Sequence, residues 1–238
     1  MKNVLFALCA TLIITSCTPP LYIPNTPQMP TLSEQGEIEV GAAMGNGGLN
    51  VQAAGAATDK IGITLAGTTN FRSTLDSSYH HFGEVGVGFT QLWKNADHDT
   101  RIRPLLTVFT GFGTGITGGV RDASSTENGQ VNYGYGAYNR YYLQLGSGFS
   151  QKFIDFTVVT RFSYVRFTAL TTEYDFRTTG DFDNFFVEPA LGVKVGGERL
   201  KFMAAMGFSV SMQSSSKVAF RQQPFFGSVG LHYQINLK

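Results

Sequence analysis

The sequence predicts an all-β protein: an antiparallel up-and-down transmembrane β-barrel of about ten strands, with eight to twelve compatible with the pattern. Three observations carry that prediction. Apolar and polar residues alternate with period two through most of the chain after Gly36. The connections between the alternating segments are short and long by turns. The face opposite the apolar one carries ionisable side chains of both signs.

The first element is residues 1–16. Lys2 supplies a positive start, and Val4 to Ile14 is an apolar run of secretory length, too short to cross a bilayer as a helix. Ile14-Thr15-Ser16-Cys17 resembles a bacterial lipobox: an aliphatic residue, two small residues and the cysteine that takes the lipid. The resemblance implies removal of residues 1–16 and a covalent lipid on Cys17, with no other cofactor expected. An ordinary cleavage site wants small residues at positions −3 and −1, and Ile14 and Thr15 serve poorly there.

Residues 17–35 are the second element. Pro19, Pro20, Pro24, Pro27 and Pro30 exclude a helix or an inner strand. The stretch reads as an extended, semi-rigid tether, a strap close to the periplasmic rim of the barrel.

Residues 36–238 are the barrel unit. Ile38, Val40, Ala42 and Met44 open the first alternating segment, and Leu49, Val51 and Ala53 the second. Ile61, Ile63 and Leu65 mark the third, Val85, Val87 and Phe89 the fourth, Ile102, Leu106 and Val108 the fifth. A sixth runs from about Tyr138 to Phe149. Phe156, Val158 and Phe162 mark the seventh, Phe185, Val187 and Leu191 the eighth, Leu200, Phe202 and Met206 the ninth. Phe225, Val229, Leu231, Tyr233 and Ile235 mark the tenth. Many approach the roughly 9–11 residues that a tilted strand needs to cross a bilayer.

Thr58 to Lys60, Lys94 to Thr100, Ser150 to Phe153 and Gly196 to Glu198 are the tight connections. Arg72 to Ser78, Ile116 to Gly136, Thr168 to Asn184 and Gln213 to Gln222 are the longer ones, and Gly45 to Gly48 breaks the trend. Short turns at one end and long loops at the other suit an outer-membrane barrel. An even strand number puts both barrel ends on the short-turn, periplasmic side, and a lipid on Cys17 would then enter the inner leaflet.

Charged residues make up 15% of the chain, the formal charge is +1, and no long apolar run follows the signal. Nucleic acid is therefore not an expected partner. With Cys9 in the signal and Cys17 lipidated, no cysteine remains for a disulfide or a zinc site. Glu39, Glu84, Arg103, Arg161, Glu188, Lys194 and Lys201 lie opposite the apolar face. A soluble core would reject so many charges unless paired, whereas a narrow lumen can hold them as a network. Tyr138, Tyr141, Tyr142, Tyr164, Phe167, Phe185 and Tyr233 are expected to form interfacial girdles.

Ser228 to Ile235 looks like the assembly signal of outer-membrane barrels, with Gly230, Tyr233 and Ile235 at its defining positions. Lys238 departs from the terminal aromatic residue usual there. With the lipobox, Pro19 to Asn25 and Phe185 to Ala190, the chain resembles outer-membrane β-barrel lipoproteins of Bacteroidetes-type bacteria. The resemblance implies a location and an architecture, with outer-membrane lipid and the barrel-assembly and lipoprotein-sorting machineries as partners.

Motifs for chemistry are weak. His80 and His81 point to opposite faces of a strand and cannot easily share a metal ion. Asp181 and Asp183 supply too few oxygens for calcium. His80 with Asp76, Ser77 and Ser78 could imitate a rim hydrolase, but coincidence explains it better and no enzyme is expected. Tyr133, Tyr135 and Tyr138 form either an aromatic surface or a strand rising above the membrane, the latter preferred. The Gly-x-Gly pairs read as room for lumen side chains. The expected role is structural or surface interaction with the lumen largely filled by side chains. The alternatives are a narrow pore or transport protein, and a soluble periplasmic ligand-binding barrel lipoprotein.

Overall fold

The computed structural model describes residues 20–70, 79–93, 102–121, 132–171, 182–213 and 222–236. Cys17, Asp76, Ser77, Ser78 and Asp181 lie outside the described residues. Those described form strands and no helix: β1 (Glu37–Gly45), β2 (Gly48–Ala56), β3 (Ile61–Asn70), β4 (Tyr79–Leu92), β5 (Arg103–Arg121), β6 (Asn132–Ser150), β7 (Ile154–Thr171), β8 (Phe182–Gly196), β9 (Leu200–Phe208), β10 (Val210–Ser211) and β11 (Phe225–Asn236).

Ten of these close a ring. β1 to β9 pair antiparallel in sequence order, β11 pairs with β9, and β11 returns to β1 with Glu37 opposite Asn236. The two-residue β10 sits on β8 with Val210 opposite Val187, the register that β9 already sets with Ala190 opposite Gly207. The interruption at Ser209 lies beside Pro189, which has no N–H to give the ladder. Period two thus produces the predicted closed sheet, because each strand has one face toward the lumen and one away from it.

The wall is uneven. β5 and β6 have 19 residues and β7 has 18, against nine or ten for β1, β2 and β3. At about 3.3 Å per residue that is roughly 60 Å against 30 Å. The excess rises at the long-connection end and corrects the predicted loops. The 116–136 stretch contracts to a connection at 122–131, and 168–184 to 172–181. Local Gly and Ser content reads as loop, but an adjacent strand offers Gly115, Thr117 and Gly119 a ladder opposite Tyr138, Gly136 and Gly134.

The largest correction concerns the proline-rich segment. It is extended, as expected, but from Leu21 to Leu32 it is not a strap at the periplasmic rim. Leu21 to Leu32 are buried without exception, and they run down the inside of the ring. At the long-connection end Tyr22 bridges Gln222, and Gln223 N–H donates to Tyr22 C=O at 2.9 Å. At the short-turn end Gln35 N–H donates to Asp59 Oδ1, in the β2–β3 turn, at 2.9 Å. Gly36, at φ +84°, then reverses the chain into β1, a backbone that favours glycine. Twelve residues at about 3.1–3.4 Å each cover close to 40 Å, the full height of a bilayer with its headgroups.

Prolines suit this position. A buried chain without strand partners would strand its amide donors. Pro24, Pro27 and Pro30 have none. Their spacing of three also matches the polyproline repeat, so the extended form costs little further entropy.

Candidate functional site

The lumen is where this chain concentrates its chemistry-bearing side chains. On β4 the even positions point inward, which turns His80, Phe82 and Glu84 to the interior and His81 and Val85 outward. The same alternation brings Arg140 and Gln144 in from β6, Arg161 and Asp155 from β7, Glu188 and Lys194 from β8, Lys201 from β9 and His232 from β11.

These charges are paired in three groups. Glu84 accepts from Arg140 and lies 3.5 Å from Arg161. Glu39 sits 3.2 Å from Lys194 Nζ and 3.0 Å from His232 Nε2. Lys201 Nζ donates to Asp155 Oδ2 at 2.7 Å. Glu188 is held by hydroxyls, accepting from Tyr22 at 2.7 Å, Ser163 at 2.8 Å and Ser209 at 3.3 Å. Arg140 also stacks over Phe82, and Arg161 over Tyr142, with 4.3 and 4.7 Å to the ring centroids.

The threaded segment completes this network. Asn25 Nδ2 donates to Glu84 Oε1 at 2.9 Å, while its Oδ1 accepts from Arg140 at 2.5 Å and Arg161 at 2.9 Å. Thr31 gives both its N–H and its hydroxyl to Glu39 Oε1, at 2.9 and 2.6 Å. Gln144 donates to Gln28 C=O at 2.7 Å, and Thr26 Oγ1 lies 2.9 Å from Ser228 Oγ. Tyr22 stacks on Phe186 at 4.7 Å and meets Tyr138 edge-on at 5.7 Å. At the lower end the Glu37 carboxylate accepts from Ser33 N–H, Ser33 Oγ and Glu34 N–H, which fixes the turn into β1.

Glycines make the room. A Cβ on Gly86 would fall 2.2 Å from Tyr142 Oη, and one on its partner Gly111 2.6 Å from the same ring. A Cβ on Gly192 would fall 2.1 Å from Met29 Sδ. Beside Met29, Gln52, Glu39 and His232 lies a cavity of about 30 Å³, room for a water or two and far below a ligand pocket. Below the segment, at the short-turn mouth, a polar vestibule of about 840 Å³ opens between Thr31, Arg103, Lys152, Glu198, Arg199 and Lys201.

The outer surface is the inverse. Each of the ten ring strands presents exposed apolar side chains: Val40, Val51, Leu65, Val87, Leu106, Leu143, Val158, Leu191, Phe202 and Leu231, in chain order, from 38 to 70% exposed.

Of the seven lumen residues expected from sequence, Glu39, Glu84, Arg161, Glu188, Lys194 and Lys201 are buried in the interior. Arg103 differs. It is half-buried in the vestibule and donates to Ser150 Oγ at 3.3 Å. Arg140 joins the lumen in addition to those seven, and Tyr138, Arg140, Tyr142 and Gln144 share one face of β6. The threaded segment also enters the lumen, where its proline content alone predicts only a tether. Its apolar and amide residues between prolines, Leu21 to Met29, were the available signal.

The girdle residues divide. Tyr141, Phe185 and Tyr233 face outward, but Tyr138, Tyr142 and Phe167 are buried in the lumen, because alternation sends neighbouring positions to opposite sides. Gly230 lies opposite Ala43 on β1 and Met203 on β9, while Tyr233 and Ile235 face outward on β11.

His80 lies 2.8 Å from Tyr138 Oη, fully buried in the lumen near the upper ends of β3 and β4. Asp183 accepts from Tyr164 Oη at 2.5 Å. Among the described residues, no group of three or more His, Cys, Asp or Glu is placed to hold a metal ion. No protein-family model matches the chain, and no curated protein matches it.

Proposed function

We propose that the protein is a small outer-membrane β-barrel lipoprotein with a sealed lumen, serving a structural or surface-interaction role rather than catalysis. The observation that carries this reading is the inversion of polarity: exposed apolar side chains on all ten strands, and paired charges within. Water-soluble monomers rarely expose contiguous apolar patches beyond a few hundred Å². Lipid rewards such a surface, and a closed ring leaves no unpaired strand edge in hydrocarbon.

The filled interior argues against the other two roles. A pore needs a continuous aqueous path, and a ligand-binding barrel of the lipocalin kind needs a cavity of at least about 300 Å³ in its interior, whereas the interior beside Met29 offers about 30 Å³ and the larger vestibule lies at the short-turn mouth, below the threaded segment. The partners of this reading are membrane lipid and the assembly and sorting machineries, with the lipid on Cys17.

Cell fractionation tests it. With a signal that directs no lipid and Cys17→Ala, the protein is expected to stay in the membrane fraction and migrate faster on gels before heating than after. Release into the aqueous phase would overturn the membrane reading. In planar bilayers the purified protein is expected to give no steady conductance, and stable open channels would overturn the sealed lumen.

A further inference from the structure

We infer that the chain ahead of Pro20 leaves the barrel through the mouth at the long-connection end. The mature N-terminus and the lipid on Cys17 therefore lie on the same side of the membrane as the long loops. Both ends of the barrel wall, Glu37 and Asn236, lie on the other. The inference rests on the lipoprotein reading for the lipid, and on the threaded path alone for the side.

The path has two fixed ends. Tyr22 is tied to Gln222 and Gln223, which lie in the β10–β11 connection. Leu21 packs in the cluster of Tyr138, Phe167 and Leu170 near the upper ends of β6 and β7. Gln35 is tied to Asp59 at the opposite end. Between them Asn25, Thr26, Gln28 and Thr31 are bonded to the wall, so the segment cannot slide without breaking buried polar pairs.

Chain length then decides the side. Cys17 precedes Pro20 by three residues, a reach of at most about 11 Å. The hydrocarbon core alone is about 30 Å thick, and the full bilayer about 40–45 Å. From the long-loop mouth, Cys17 reaches the adjacent leaflet and not the far one. This replaces the inner-leaflet anchor that strand parity alone suggested.

Three full-length versions test this, each with a short epitope: after Thr18, within the 122–131 connection, or between Gly197 and Glu198. Intact cells are probed with an antibody that does not cross membranes. The Thr18 and 122–131 epitopes are expected to report one side, and the Gly197 epitope the other. A Thr18 epitope that reports with Gly197 overturns the inference. An untagged chain with Thr26→Cys and Ser228→Cys is expected to form an internal disulfide in the folded barrel, and its absence there overturns the threaded path. The mass of the N-terminal peptide reads acylation separately. An unmodified Cys17 removes the lipid from the account and leaves the side of the N-terminus standing.

Discussion

Glu84 is the residue on which most of the interior depends. Its two oxygens serve Arg140, Arg161 and Asn25. Removing one partner of a buried pair leaves a charge without compensation, at about 3–5 kcal/mol. Glu84→Ala, which strands two arginines, is expected to lower stability by that order, measured by urea unfolding in detergent. Asn25→Ala leaves Glu84 with both arginines and is expected to cost less, about 1–3 kcal/mol. Glycine substitutions separate packing from propensity. Gly86→Ala meets Tyr142 and Thr64 and is expected to cost about 1–3 kcal/mol. Gly83→Ala, three positions earlier on the outer face with nothing within 4 Å of its Cβ, is expected to stay within about 0.5 kcal/mol. Equal effects of these two in the same unfolding assay would show that the lumen is looser than described.

At the scale of elements, the threaded segment behaves as an eleventh internal member of the barrel, not as a linker. It has almost no ladder of its own and takes its order from side chains on β1, β4, β6, β7, β8 and β11. The reversal at Gly36 links it to β1. Its φ of +84° favours glycine, and no atom lies within 4 Å of its Cβ position. Gly36→Ala is therefore expected to cost about 1–2 kcal/mol through backbone alone. A larger loss in the unfolding assay would mean that the reversal also carries packing. β5, β6 and β7 form the other notable element, a tall wall whose upper ends frame the mouth above Leu21.

At the scale of the whole molecule, the barrel is a closed sheet wrapped round its own N-terminal segment, apolar outside and ionic within. Deleting residues 21–32 removes together the hydrogen bonds that the segment makes with Glu39, Glu84, Gln144 and Glu188, and leaves those side chains only their partners on the wall. The deleted protein is expected either to fail to show heat-modifiable migration or to fold and conduct ions through an emptied lumen. A deleted barrel that is as stable as the intact one and does not conduct would show that side chains from the wall fill the lumen by themselves.

The strand number and most of the inward residues were legible from sequence. Alternation is a local property, and Val85 against Glu84 or Leu191 against Glu188 declares its face within a few residues. Clustering suggests a girdle for Tyr138 and Tyr142, but their parity on β6 puts both in the lumen. Composition does not show the lengths of β5 and β6, because a neighbouring strand extends them. Prolines between 19 and 30 established that the segment is extended and cannot join a sheet. They could not say which side of the wall it takes. That was decided by contacts more than fifty residues apart, such as Asn25 with Glu84 and Tyr22 with Glu188. A closed ring has an inside only once its last strand meets its first, and no local pattern records what that closure encloses.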